Sequence, residues 1–148
     1  AGSTVAGECE FKVCVHYLPE IMDYETIVSE FTDTIEAIAD SDKWLKNHRP
    51  EISVYQAGGA FEMERNHPFV KAFEQGYKQA KGRMPKIVVS PSGCDSRIWK
   101  NIAKCPTIQF GPGNLEQCHS VNEYLDMDAY LESILIYAEL ILAWGKNK

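Results

Sequence analysis

From Glu10 to Tyr17 apolar residues fall on alternate positions, Phe11, Val13, Val15 and Tyr17, with Glu10, Lys12, Cys14 and His16 between them. This two-residue period predicts a strand with one buried side, closed by Pro19. Asp23 is placed to cap a helix whose apolar face is Ile27, Phe31, Ile35 and Ile38, spaced four, four and three residues apart. That helix is expected to run to about Ala39. The segment SDKWLKNHRP then connects to a second strand, Glu51–Gln56, before the Gly58-Gly59 break. The first part of the chain thus reads strand, helix, strand.

Asn66 or His67 followed by Pro68 marks another helix start, with Phe69, Val70, Phe73 and Tyr77 as its apolar face and Gly82 as its end. Beyond it the pattern changes. KIVVS (Lys86 to Ser90) and PTIQF (Pro106 to Phe110) are short, mostly apolar runs, each followed by a glycine-containing loop. They read as strands of a sheet covered on both faces. The last predicted helix begins near Asp126 or Asp128 and ends at Trp144, with Gly145 as its stop. Its apolar residues spread around much of the circumference, so burial on more than one side is expected. The organisation implied is two parts, residues 1–62 and 63–148, with the change falling between Ala60 and Asn66. No internal repeat or low-complexity run interrupts them.

Composition narrows the function classes. The 148 residues carry 15 Lys+Arg against 21 Asp+Glu, a formal charge of -6, and are 45% hydrophobic and 24% charged. These values are those of an ordinary folded protein. Scattered basic residues in an acidic chain offer no footprint for a phosphate backbone or an anionic lipid surface, so neither nucleic acid nor membrane is expected as a partner. The five cysteines, Cys9, Cys14, Cys94, Cys105 and Cys118, form no CxxC pair. Reduced thiols in a cytoplasmic protein are therefore the expectation. No signal peptide is visible at the start, and the longest apolar stretch, Ile134 to Trp144, contains Glu139 and falls well short of the roughly 20 residues that span a bilayer. The chain lacks an initiator Met, which fits either trimming or a piece of something longer.

Two loops following apolar strands are the places for chemistry: Ser90 to Arg97, and Gly111-Pro112-Gly113 onward through Asn114 and His119 to Glu123. In open α/β sheets ligands bind at the carboxyl ends of strands. Arg97 offers a planar fork suited to a carboxylate, or else pairs with Asp95 and simply pins the loop. His119 alone is a weak metal signal, because zinc needs at least three protein ligands and His16, His48 and His67 show no ligand spacing. Cys94, Cys105 and Cys118 fit inert thiols as well as reactive ones. No G-x-S-x-G elbow is present, which disfavours a serine hydrolase.

Taken together, SGCDSRIW and CPTIQFGPGNLEQCHSVNEYLDMDAYLESILIYAELI resemble the C-terminal end of the dinuclear zinc amidohydrolases that include acetylornithine deacetylase, succinyl-diaminopimelate desuccinylase, aminoacylase and the carboxypeptidase G type. The family pattern is G-x-[ST]-D-A-R, then F-G-P-G, four residues, A-H, two residues and [ND]-E. Asp95 and Arg97 match it, with Gly93 one residue nearer to the Asp than the pattern's glycine, and Phe110 to Gly113, His119, Asn122 and Glu123 match as well. GECEFKVCVHYLPE, the helix after it and EISVYQ are similar to the second half of that family's lid, a ferredoxin-like α+β domain that usually forms the dimer. The fold the resemblance implies is an α/β portion of a phosphorylase/hydrolase-like zinc peptidase domain (63–148) plus part of the inserted lid (1–62), incomplete relative to the family. Cys94, Ser96 and Cys118 depart modestly from the pattern. Ser3 and Ala6 stand where the family often has the Asn and Pro of a turn, and His16 stands where desuccinylases often carry an Arg for a second substrate carboxylate.

For the complete protein the resemblance implies hydrolysis of the amide of an N-acyl amino acid by two zinc ions sharing a hydroxide. His119 would be a zinc ligand, Arg97 would bind the substrate carboxylate, and Gly93 and Asn114 would line the pocket. Glu123 would support the metal-site loop and Asp95 would orient its own loop. The general base and the remaining ligands belong to a part of the family upstream of these residues, so this chain is expected to contain no catalytic residue, to retain no zinc and to be inactive alone, and a homodimer is expected. The alternative, of another class, is a non-catalytic dimerisation or interaction module that keeps the family's tail.

Overall fold

The computed structural model describes residues 5–146, so Ser3 lies outside the described residues. It divides into two compact units, Ala1–Ile52 and Ser53–Lys148.

The first unit is organised by helix α1, Tyr24–Ser41. Asp23 caps it as its position suggests, its carboxylate accepting from the Thr26 amide at 2.7 Å. Amides at a helix start favour the charged form, so the Asp23 carboxyl lies below the usual carboxylate range. Asp42 ends the helix and begins the next turn, its Oδ1 accepting from the amides of Trp44 and Leu45, each at 2.8 Å. Those two bonds hold its carboxyl low as well. A single 3₁₀ turn, Leu45–Asn47, follows, with the Trp44 and His48 rings stacked 4.3 Å apart. Arg49 then ties the connection back to α1 through ion pairs with Glu36 and Asp40. These two acids raise the Arg49 guanidinium above its ordinary value, its bond to Asp40 contributing most. On the apolar face Ala39 is buried and Ile27, Phe31 and Ile35 are half-buried, while Ile38 is exposed.

The second unit is built on a helix pair. α2, Pro68–Lys81, starts with His67 Nδ1 accepting from the Phe69 amide at 3.1 Å and with Pro68 in its first turn. It stops at Gly82, whose left-handed φ of 67° lets its N–H reach the Lys78 carbonyl at 2.8 Å. The last helix, α4, is Met127–Gly145, with Asp126 accepting from the Ala129 amide at 2.8 Å; a short helix, α3, Ser96–Asn101, lies between. Gly145 does not stop α4 as expected. It is the last helical residue, and the cap, Lys146, stays right-handed with its N–H on the Leu142 and Trp144 carbonyls.

α2 and α4 pack closely because Gly76 has no side chain: a Cβ there would lie 2.7 Å from the Leu140 nitrogen. Val70, Ala72 and Phe73 of α2 and Ile136 and Ala143 of α4 are the buried apolar residues of this unit. Phe69 meets Trp144 edge-on at 5.3 Å, and Lys81 pairs with Glu132 across the helices. Glu74, only 5% exposed, is compensated by Arg65 at 2.5 Å and Lys71 at 3.1 Å. Away from α2 the helix is not buried: Leu131, Ile134, Leu135, Ile141 and Leu142 are each more than half exposed.

Among the described residues no strand ladder forms, and the four strand-like segments, 10–17, 51–56, 86–90 and 106–110, have no regular hydrogen-bonded partner. Ile87, Val88 and Val89 are exposed rather than covered on both faces. A strand takes its stability from the ladder it joins, and among the described residues no such ladder is formed. The unit division falls after Ile52, ahead of the expected boundary at 62, because residues 58–60 are held by the second unit. Asn101 Nδ2 donates to the Gly59 and Ala60 carbonyls at 3.4 and 3.1 Å, and the Arg97 guanidinium lies against Gly58. Among the described residues no helix is long and apolar enough to cross a membrane.

Candidate functional site

Both loops singled out by the sequence belong to the second unit, and each is pinned by a neighbouring helix. Residues Ser90 to Ser92 fold on their own hydroxyls, with the Ser90 and Ser92 Oγ atoms 3.2 Å apart. α3 begins immediately after, with the Asp95 carbonyl accepting from the Ile98 amide at 2.9 Å. The Asp95 carboxylate makes no cap and no ion pair with Arg97 among the described residues. Instead Arg97 Nη1 donates to the Cys94 carbonyl at 3.1 Å. Gly58 leaves the room for this: a Cβ there would stand 2.8 Å from Arg97 Nε.

The second loop hangs from Phe110. Its ring contacts Phe73 at 5.0 Å, Tyr137 at 5.5 Å and Tyr77 at 6.2 Å between centroids, and its carbonyl accepts from the Tyr137 hydroxyl at 2.8 Å. Edge-to-face aromatic contacts of this kind add to the area they bury. From Phe110 the chain turns through Gly113, at φ 103°, into a 3₁₀ turn, Leu115–Gln117. That turn delivers Cys118 and His119. His119 and Asn122 adopt φ of 62° and 59°, left-handed values that cost a non-glycine residue energy and often mark functional positions.

The two loops face each other across an open cleft of about 420 Å³ lined by Pro91, Ser92, Gly93, Cys94, Gln109, Leu115, Cys118 and His119. Cys94 Sγ donates to Gln109 Oε1 at 3.5 Å across its floor. Of the residues proposed from sequence, Gly93 and His119 line this cleft; Asp95, Arg97, Asn114 and Glu123 do not. The Asn114 carbonyl instead accepts from the Gln117 amide at 3.0 Å and closes the turn. Gln109 was not singled out by the sequence. Its only signal was a polar side chain inside the apolar run PTIQF. The lining contains no Lys, Arg, Asp or Glu.

His119 is exposed, and among the described residues no three His, Cys, Asp or Glu side chains converge as a metal group. Among the described residues His119 is thus a single candidate ligand, whereas a zinc site needs at least three protein ligands.

Comparison with known proteins gives the family. Residues 3–143 match the family model described as Peptidase family M20/M25/M40. The chain is 31% identical to the N-formyl-4-amino-5-aminomethyl-2-methylpyrimidine deformylase of Bacillus subtilis, over 97% of this chain and 35% of that protein. It is 29% identical to the protein of the same name from Halalkalibacterium halodurans, over 95% of this chain and 34% of that one. A Staphylococcus aureus protein named "Probable succinyl-diaminopimelate desuccinylase" is 26% identical over 99% of this chain and 35% of its own length. The chain thus spans about a third of the length of these curated relatives. No solved structure is a significant match. With the model matching nearly end to end, the chain belongs to the peptidase family M20/M25/M40.

Proposed function

We propose that this chain is the C-terminal part of a zinc-dependent amidohydrolase that removes a small acyl group from an amine, and that it is inactive by itself. One observation carries the reading: the loops with the family motifs, Gly93 on one and His119 on the other, line a single cleft. In the reaction a water oxygen bonds to the acyl carbon, the C–N bond breaks, and the nitrogen leaves as the amine after taking a proton; the products are a carboxylate and the amine. When bound, a dinuclear zinc centre would polarise the carbonyl and activate that water. His119 is this chain's candidate ligand to such a centre, with the other ligands and the base supplied from outside these residues. The chain's own contribution is to bind and orient. Gly93 lets a ligand approach the backbone, Asp95 and Asn114 shape the two loops, and Glu123 supports the loop that carries His119. In the same reading residues 1–62 are the second half of a dimer-forming α+β lid, and 63–148 are part of an α/β catalytic domain.

Two substrate classes follow from different features. Arg97, if it turns its free guanidinium nitrogens to a carboxylate, suits an N-acyl amino acid such as acetylornithine. The uncharged lining of the cleft suits a neutral N-formyl amine of the kind named for the Bacillus subtilis relative. The test is amide hydrolysis by the complete polypeptide that carries this segment, on N-acetyl amino acids and on the N-formyl aminomethylpyrimidine, with zinc measured by elemental analysis. Turnover of either class, with activity and zinc both lost in His119→Ala and retained in His48→Ala, is the expected result. A polypeptide that cleaves neither class would leave the interaction-module alternative in place of the enzyme. Equal zinc in wild type and His119→Ala would remove His119 as a ligand.

A further inference from the structure

Gln109 is the one primary amide among the cleft-lining side chains, and its hydrogen-bonding capacity is only partly used. Its Oε1 accepts a long, weak bond from Cys94 Sγ at 3.5 Å, which leaves that oxygen a second lone pair. Its Nε2 has no partner among the described residues. Gln109 is exposed to the cleft and sits directly before Phe110, whose ring and carbonyl are fixed by Phe73, Tyr77 and Tyr137. The backbone that carries this amide is therefore held even though the side chain is open to a ligand. Around it the other polar groups are the Ser92 hydroxyl, engaged with Ser90, the two thiols and the His119 imidazole. None of these presents a donor and an acceptor side by side.

A primary amide does. It matches a planar edge that places an amino donor next to a ring-nitrogen acceptor, the same complementarity by which Gln and Asn read adenine with two parallel bonds. A 4-aminopyrimidine has such an edge: the 4-amino group donates, and the adjacent ring nitrogen accepts. Neither an N-acyl amino acid nor a succinyl group has one. We infer that Gln109 is the specificity-determining residue of the cleft, its Oε1 accepting from the 4-amino group and its Nε2 donating to the ring nitrogen of an N-formyl aminomethylpyrimidine. The inference rests on the deacylase reading and chooses within it the neutral heterocyclic substrate. The thiols of Cys94 and Cys118 and the side chain of Leu115 supply the soft, apolar surface on which such a ring lies. Gln109 takes no part in breaking the amide, so its effect falls on binding.

The experiment uses the complete polypeptide and three substrates: the N-formyl 4-amino-5-aminomethylpyrimidine, the same compound with hydrogen in place of the 4-amino group, and an N-acetyl amino acid. Wild type should prefer the 4-amino compound over its deaminated analogue by roughly 5- to 150-fold in kcat/KM, mostly through KM, as one two-bond pair permits. Gln109→Leu should erase that preference by weakening only the 4-amino compound. Gln109→Glu, which keeps the shape but offers no donor, should weaken it too, and both variants should melt as wild type does because the side chain is exposed. Equal kcat/KM for the two pyrimidines, a preference that survives Gln109→Leu, or turnover of the N-acetyl amino acid alone each overturns the role of Gln109 and leaves the deacylase reading standing. Turnover of none of the three overturns both.

Discussion

Replacing Gly76 with Ala tests the helix pair on which the second unit is built. The added carbon would lie 2.7 Å from the Leu140 nitrogen and 2.9 Å from both the Glu139 carbonyl carbon and Leu140 Cα. All three are backbone atoms, so no rotamer change relieves the contact. Restoring an ordinary separation of about 3.5 Å requires α4 to retreat from α2 by roughly 0.6 to 0.8 Å. Overpacking of this kind costs about 1–3 kcal/mol, and a radial gap of that size also forfeits a quarter to a half of each dispersion contact along the seam, including Phe69 on Trp144. Against this, Ala is favoured over Gly inside a helix by up to about 1 kcal/mol. The net expectation is a loss of about 1–2 kcal/mol, which for a unit of this size lowers Tm by roughly 4–16 °C. Thermal and urea unfolding followed by circular dichroism measure it. Gly145→Ala is the control: that glycine ends the same helix with nothing within 4 Å of a Cβ, so only propensity acts and stability should hold or rise. A Gly76→Ala protein melting at or above wild type would show that the helices do not cross this closely.

Arg97→Lys keeps the charge but loses the planar fork; in the complete enzyme acting on an N-acyl amino acid it should lower kcat/KM by about 1.5–3 kcal/mol, and unchanged kinetics would leave Arg97 as the tether of Cys94 alone. The Asp23 carboxyl titrates lower in the folded chain than in the unfolded one, so its stabilisation of α1 is present above the unfolded value and is lost as pH falls through the depressed folded value. Asp23→Ser, which caps without a charge, should flatten that acid limb in an ellipticity titration, and an unaltered limb would assign the pH dependence to other carboxylates. The exposed apolar residues of α4 should drive the isolated chain to dimers or larger species at micromolar concentration in sedimentation, whereas a compact monomer that melts cooperatively and binds no apolar dye would contradict the fragment reading.

Helices announced themselves in the sequence wherever local chemistry and periodicity agreed. Asp23, Pro68 and Asp126 each stand at or beside the start of a helix, and Gly82 ends one. α3 was not legible, because SRIWKN is too short to show a repeating face. Gly145 misled for a different reason: a glycine after an apolar run signals a stop only when the backbone turns left-handed there, and here it does not. Alternation in residues 10–17 reports which side chains prefer burial, but strand pairing is non-local, and no strand ladder forms among the described residues. At the site the loop positions of Gly93 and His119 were readable from the motif. Gln109 was not, since a single polar residue in an apolar run has the same appearance whether it faces solvent or a ligand. The Arg97 contact with Cys94 depends on a glycine 39 positions earlier, Gly58, which no local pattern reveals.

Phe110 makes the lifetime of the cleft a property of the helices. Its ring rests on Phe73 and Tyr77 of α2 and Tyr137 of α4, and its carbonyl takes the Tyr137 hydroxyl, while the residue before it lines the cleft and the glycines after it lead to His119. An opening of α2 from α4 that frees this ring would release both the floor of the cleft and the loop bearing His119 in one event. Amide protons along residues 109–119 should then exchange by two routes, a fast one from local fraying and a slow one shared with the α2–α4 seam. A substitution at the seam, far from any ligand, would shift how often the cleft exists while leaving its shape, when formed, unchanged.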